Sequence, residues 1–230
     1  MQVNDINKGK FVSVEFKKPL VGRVWSISVL EKVYYDTETS SYKYSDDKGK
    51  YEVTLLIAKN SESEKILKNS IQEIQNYMKA KYKERVFFNR AMSSIRDGDI
   101  EDNFNQYYDE FKNHWVVTFK SKNPITLYTM LRKKLNIKEV SKDDEIYKSN
   151  FYRGVVVALI GQLYIAEGVK TINCLVNGIK TVKHSKPFEE FREVSIDELE
   201  AFEESELDFF DDYSFDENEV DYDDDEEIPY

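Results

Sequence analysis

With 230 residues, 40% hydrophobic and 14% aromatic, the chain can hold one medium domain with its own core, and its few glycines (8) and prolines (4) exclude a low-complexity body. The net charge of −11 hides a split: residues 189–230 carry 21 Asp and Glu against one basic residue, Arg192, which leaves 32 basic and 23 acidic side chains, about +9, in the first 188 residues. The lone Cys174 rules out an intramolecular disulfide, no apolar run approaches a membrane span, and the N-terminus lacks a signal pattern; a soluble protein of a reducing, cytoplasmic compartment is expected.

Taken in order, Lys10–Phe16 predicts a short strand with Phe11 and Phe16 as core anchors, stopped at Lys17-Lys18-Pro19. Val21–Tyr35 alternates, with Val24, Ser26, Ser28 and Leu30 on one face and Trp25, Ile27 and Val29 on the other. A polar connection at Thr37–Ser41 leads past Tyr42 and Tyr44 to a strand at Tyr51–Ala58. Ser61-Glu62-Ser63-Glu64 reads as a capping box, and Leu67, Ile71, Ile74 and Met78 recur at helical spacing on a helix reaching about Arg85. Phe87–Asn113 is irregular, and Trp115–Phe119 is a compact strand closed by Lys120-Ser121-Lys122-Asn123-Pro124. Leu127–Leu135 is mixed and basic, Lys138–Ser149 reads as a polar loop, and Phe151–Ile165 as a long apolar strand, bulged at Gly161. Thr171–Val182 fits either a hairpin turning at Asn177-Gly178 or one long strand with a glycine bulge. Strands, one inserted helix, then more strands suit a mainly β, OB-fold-like barrel of five or six strands over residues 1–188 better than an alternating βαβ sheet. Residues 189–230 are expected to be a disordered acidic interaction tail, because a block of like charge cannot offset the entropy of ordering. Aromatics such as Phe209, Phe210 and Tyr222 among its carboxylates suit a docking peptide.

The sequence holds no phosphate-cradling glycine motif, no zinc pattern and no nucleophile elbow, so no enzyme activity and no cofactor are expected. His114 and His184 read as ordinary edge histidines and Cys174 as a small buried hydrophobe. Asp97, Asp99 and Glu101 are better explained by a polar turn than by a metal site, since the calcium-loop spacing is missing. Aromatics stand beside cations at Arg23-Val24-Trp25, Tyr42-Lys43-Tyr44, Phe119-Lys120 and Tyr152-Arg153. Single-strand binders need that mixture, with cations along the phosphates and ring faces against the bases. Any one pair reads more simply as a core aromatic beside a wet lysine; the set on a basic body points to binding. Trp25, Tyr42, Tyr44 and Tyr152 are the expected stackers, ahead of the more apolar Phe11 and Phe16. Lys120, Lys122, Arg132, Lys133 and Lys134 form a second basic run that fits a phosphate track or a solvated face equally well.

The tip Asp223-Asp224-Asp225-Glu226-Glu227-Ile228-Pro229-Tyr230 resembles the Asp-Asp-Asp-Ile-Pro-Phe ending of bacterial single-stranded-DNA-binding proteins, with two inserted glutamates and Tyr for Phe. The body is similar instead to bacteriophage single-stranded-DNA-binding proteins, through Arg96-Asp97-Gly98-Asp99, Phe119-Lys120-Ser121-Lys122-Asn123-Pro124 and Phe151-Tyr152-Arg153-Gly154. Leu175-Val176-Asn177-Gly178-Ile179, with Val182 and Pro187, continues that similarity, which spans about Phe11 to Phe188; Tyr128–Ser149 and much of the tail are peculiar to this chain. The resemblance implies one OB fold with an inserted helix, working in DNA replication and recombination in a host cytoplasm.

The resulting expectation is a protein that coats single-stranded DNA through Arg23, Trp25, Tyr42, Lys43, Tyr44, Lys120, Lys122, Arg132, Lys133, Lys134, Tyr152 and Arg153. Its tail competes with DNA for the basic groove, and residues 223–230 recruit replication proteins such as a DNA polymerase, primase or helicase. A homodimer is an open expectation. The alternative is an acidic DNA mimic or other interaction protein that binds no DNA itself. A metal nuclease would need a carboxylate cluster placed with a lysine.

Overall fold

Strand-forming runs rich in Val, Ile, Leu and aromatics organise the computed structural model, which describes residues 3–6, 11–83, 94–100, 108–136, 139–166 and 171–188. In chain order the strands are β1 (Val3–Ile6), β2 (Phe11–Glu15), β3 (Leu20–Asp36), β4 (Ser41–Tyr44) and β5 (Lys50–Ala58). Helix α1 (Glu62–Tyr82) follows, then β6 (Ile95–Asp97), a 3-10 turn at Asp109–Phe111, β7 (His114–Ser121), β8 (Thr126–Tyr128) and β9 (Lys134–Leu135). Helix α2 (Glu145–Asn150), β10 (Val156–Ala166) and β11 (Asn173–Lys183) complete the chain as described.

Five of these strands close on themselves. β3 pairs with β5, β5 with β7, β7 in parallel with β11, β11 with β10, and β10 returns to β3, where Val156 faces Arg23. This is the strand order of the OB barrel expected from the sequence. β2 and β1 extend the sheet from β10, β4 folds back on β3 as a hairpin, β6 lines the edge of β7, and the β8–β9 hairpin hangs from β11. Val24, Val53, Leu55, Val117, Phe119, Leu159 and Val176 fill the interior without exposure.

The helix is set where the capping box lies. The Ser61 side chain accepts from the Glu64 amide at 3.1 Å, and the Glu64 carboxylate reaches back to the Asn60 amide at 2.6 Å. Leu67, Ile71, Ile74 and Met78 are buried as the spacing requires, joined by Ile66 and Ser70, and α1 packs on β1, β2, β3, β5 and β10. It ends at Tyr82, with Lys83 in the left-handed conformation (φ 57°) as its cap, short of the expected Arg85.

Several expectations are corrected. The single alternation read across Val21–Tyr35 fails because Trp25 sits in a bulge: Val24 pairs with Leu55 and Ser26 with Thr54, so parity flips and both Val24 and Val29 are buried. Phe16 is half-buried and meets Phe119 edge-on at 6.2 Å, but Phe11 stays outside the core and stacks on Tyr164. The Lys138–Ser149 loop contains α2, started by Asp144, whose carboxylate accepts from the Ile146 and Tyr147 amides. Between Asn177-Gly178 as hairpin or as bulge, the structure takes the bulge: Ile160 faces Gly178 and Gly161 faces Val176, leaving Asn177 extra. Gly161 permits this closeness, since a Cβ there would stand 2.2 Å from the Leu175 carbonyl oxygen. Among the described residues, no helix is long and apolar enough to cross a membrane.

Candidate nucleic-acid interface

The outward rows of β5 and β7 make one continuous face. Register places Glu52 opposite Lys120, Thr54 opposite Thr118 and Leu56 opposite Val116, while Arg23 of β3 faces Leu56 and Arg96 of β6 faces Val116. Lys120 pairs with Glu52 at 2.8 Å, and the Thr54 and Thr118 hydroxyls share a hydrogen bond of 3.0 Å. β4 folds back on β3, and the Tyr42 phenol that it carries feels the charges of this face. Burial raises the Tyr42 phenol above its ordinary pKa, Glu52 adds to the rise, and the cations Lys120 and Arg96 oppose it.

At the other end of the face, Leu56 and Val116 support a second apolar cluster with Phe111 and Phe188, joined by Trp25 and Tyr108. Trp25 meets Tyr108 and Phe111 edge-on, each at 4.7 Å, while the Arg153 guanidinium lies 3.9 Å from its ring centroid. Arg23 stands 3.9 Å from the Phe188 ring and donates to the Lys186 carbonyl at 2.9 Å and the Gly154 carbonyl at 3.2 Å. Gly154 has φ +104°, a conformation that favours glycine, and its amide donates to the Val24 carbonyl at 2.7 Å. Two arginines and an aromatic cluster are thereby fixed beside the barrel face.

The expected stackers fall into two groups. Tyr42 and Tyr44 on β4 are 60% and 65% exposed. Tyr42 meets Tyr35 edge-on at 5.4 Å, and Lys142 approaches the Tyr44 ring to 4.4 Å while pairing with Glu31 at 2.7 Å. Tyr152 is committed elsewhere: its hydroxyl donates to the Ser185 carbonyl at 2.8 Å and accepts from the Ser185 amide at 3.0 Å, and its ring parallels His184. Trp25 already has an arginine on one face. Phe119 is wholly buried, so Phe119-Lys120 is no surface pair. Lys43 is held in an ion pair with Asp36.

The second basic run is split by the fold. Lys120 and Lys122 end β7 beside Lys50, whereas Arg132, Lys133 and Lys134 belong to the β8–β9 hairpin that β11 carries. Arg132, at φ 64°, lines a groove with Tyr128, Ile160 and Lys180; Lys134 lies near Leu30 and Tyr51. Sequence reading missed Lys50, Arg96 and Tyr35, which strand pairing brings beside the residues it named, and Lys142, which reaches Tyr44 from the segment before α2. Asp97 and Asp99 are both engaged by Lys59, and the Asp99 carboxylate accepts from the Asn113 amide, as a polar turn requires. Among the described residues, no group of three or more His, Cys, Asp or Glu could hold a metal ion; Glu101 lies outside them. His114 begins β7, its Nδ1 at 2.8 Å from the Lys112 carbonyl oxygen, and burial pushes the Cys174 thiol up. Asp223, Asp224, Asp225, Glu226, Glu227, Ile228, Pro229 and Tyr230 also lie outside the described residues.

A closed five-stranded barrel with a helix inserted between its second and third strands, and cations and aromatics on its outer face, defines an OB-fold protein of the phage type. The chain belongs to the family described as Enterobacter phage Enc34, ssDNA-binding protein, whose model matches residues 32–210. It is similar to the solved single-stranded DNA-binding protein from bacteriophage Enc34 in complex with ssDNA, at 18% identity over 81% of this chain and 96% of that one, TM-score 0.53. A second structure, of the single-stranded DNA-binding protein from bacteriophage Enc34, gives TM-score 0.52 at 18% identity over 88% of this chain and 99% of that one. A C-terminal truncation of it gives 0.53 at 18% identity over 80% and 95%. These likenesses show the fold. No curated protein matches the chain.

Proposed function

We propose that this chain coats single-stranded DNA during phage replication and recombination, gripping the strand on the outer face of β3, β5 and β7. The carrying observation is that this face gathers Arg23, Arg96, Lys120 and Arg153 with Trp25, Tyr35 and Tyr42, although they come from separate segments. Family membership and the DNA complex of the Enc34 protein support the reading. Phosphates meet the cations, and bases stack on exposed rings, at about 1–3 kcal/mol per base. The acidic tail competes with DNA for this face as a tethered polyanion and, when displaced, offers its Ile228-Pro229-Tyr230 end to replication enzymes. The protein does no chemistry on the strand and works in the host cytoplasm. A DNA mimic would line the same face with carboxylates; here Glu52 is already paired with Lys120.

The test is a titration of fluorescent oligo-dT and of duplex at several salt concentrations. Single strands should win, and the slope of log K against log salt should steepen by about −0.7 for each phosphate neutralised. A flat salt response, or equal affinity for duplex, would remove the reading.

A further inference from the structure

The ribbon of β3 and β4 has little of its own to hold it in place. β3 parts from β5 after the Ser28–Glu52 pair and meets it again at Val33–Lys50, and beyond that point Tyr34, Tyr35 and Asp36 pair with Lys43, Tyr42 and Ser41 of β4. All of β4 is exposed, and a two-stranded hairpin is marginally stable by itself in water. The segment before α2 is anchored by contrast. Val140 packs against the core, and Tyr147 and Phe151 are buried with ring centroids 5.5 Å apart. The Ser141 hydroxyl accepts from the Asp143 amide, and the Asp144 carboxylate from those of Ile146 and Tyr147. Lys142 reaches from this segment to the ribbon. Its ammonium meets the Glu31 carboxylate of β3 at 2.7 Å, the Tyr44 hydroxyl of β4 at 3.2 Å and the Tyr44 ring centroid at 4.4 Å. One side chain from an anchored segment thus grips both strands of the ribbon. On an exposed surface an ion pair or a cation–π contact shifts an equilibrium by no more than about fivefold, which suits a clip that orders a ribbon and does not fold the domain.

We propose that Lys142 is a positioning residue for the single-strand interface: it clips the β3–β4 ribbon to the α2 segment, so that Tyr35, Tyr42 and Tyr44 meet an arriving strand in one arrangement. The inference rests on the single-strand reading above and deepens it. A ribbon ordered before binding spares the complex the cost of ordering it, so affinity rises without any contact between Lys142 and DNA. Lys142 falls in Tyr128–Ser149, the stretch peculiar to this chain, so the clip is an addition to the shared barrel.

The experiment uses the full chain and its Lys142→Gln, Lys142→Arg and Glu31→Gln variants, read by amide hydrogen exchange without DNA and by oligo-dT titration. Both side chains are about half exposed, so neither substitution threatens the fold. Lys142→Gln and Glu31→Gln should each speed exchange of the β4 amides by about two- to fivefold and leave those of α1 and β5 as in the parent. Each should weaken oligo-dT binding by about the same factor, and the double variant by no more than either. Lys142→Arg keeps the charge and the ring contact, and should exchange and bind as the parent does. Glu31→Gln separates positioning from a direct phosphate contact, because it removes a negative charge and leaves Lys142 in place. A lysine that merely met a phosphate would then hold DNA more tightly, so a tightened Glu31→Gln would overturn the proposal. Unchanged β4 exchange, or unchanged affinity, in both glutamine variants would overturn it as well. If the unaltered protein ignored oligo-dT altogether, the single-strand reading would fall, and exchange at β4 would still decide whether Lys142 holds the ribbon.

Discussion

Arg153 lies over Trp25, its guanidinium carbon 3.9 Å from the ring centroid, and Tyr108 and Phe111 hold the indole edge-on. A base that stacks on the ring face covered by Arg153 must displace the guanidinium from it. The chain has two tryptophans, and the other, Trp115, is buried with its indole N–H donated to Glu64 at 2.8 Å. Quenching of tryptophan fluorescence by oligo-dT should survive in Trp115→Phe and vanish in Trp25→Phe. The opposite pattern would place the strand away from Trp25.

The exposed and the committed tyrosines should part under mutation. Tyr42→Ala and Tyr44→Ala remove surface rings, so thermal stability should move by no more than about 0.5 kcal/mol, while each loses about 1–3 kcal/mol of stacking with DNA. Tyr152→Phe deletes both hydrogen bonds to Ser185 and should cost about 1–3 kcal/mol of stability through the unpaired backbone groups. Melting curves and oligo-dT titrations read both. An unstable Tyr44→Ala would mark Tyr44 as structural.

Glu64 carries the acid sensitivity of the helix start. Its carboxylate pKa is lowered to about 2, first by the hydrogen bond from Lys68, then by those from the Trp115 indole and the Asn60 amide, against burial. A depressed folded pKa means that this stability is fully present above the unfolded value near 4.3 and drains as pH falls through about 2. The melting temperature should fall as pH drops from about 5 toward 2, and Glu64→Gln should flatten that fall. An unchanged pH profile in Glu64→Gln would assign the acid response to other carboxylates.

Two truncations separate competition from recruitment. Removing residues 201–230 deletes 15 carboxylates, so binding to oligo-dT should tighten, most at low salt, as the Debye length shrinks from about 30 Å at 0.01 M to about 10 Å at 0.1 M. Deleting only Ile228-Pro229-Tyr230 leaves the charge almost unchanged, so DNA affinity should hold while pull-down of a polymerase, primase or helicase falls. Equal tightening by both would mean that the tip itself occupies the groove.

The elements were legible where a local rule was strong. The capping box and the Leu67, Ile71, Ile74, Met78 spacing located α1 to within a few residues, because helix hydrogen bonds and faces are set by neighbours three and four positions apart. The long β3 was placed and its faces were misjudged, since a bulge at Trp25 is decided by the partner strand and leaves no mark in the alternation. Helix α2 was missed for its brevity: six residues give no period to read, although Asp144 stood in the capping position.

Residue types and charge, by themselves, determined that this is a basic, aromatic-rich β domain followed by an acidic segment, because charge and strand propensity are summed along the chain. Tertiary structure alone decided which of those residues meet. It parted Lys120 from Arg132, turned Tyr152 toward Ser185, and brought Lys50, Lys122, Phe11 and Tyr164 to one groove. Barrel closure pairs strands far apart in sequence, β3 with β10 and β7 with β11, and such register is a property of the closed sheet that no stretch of the chain contains on its own.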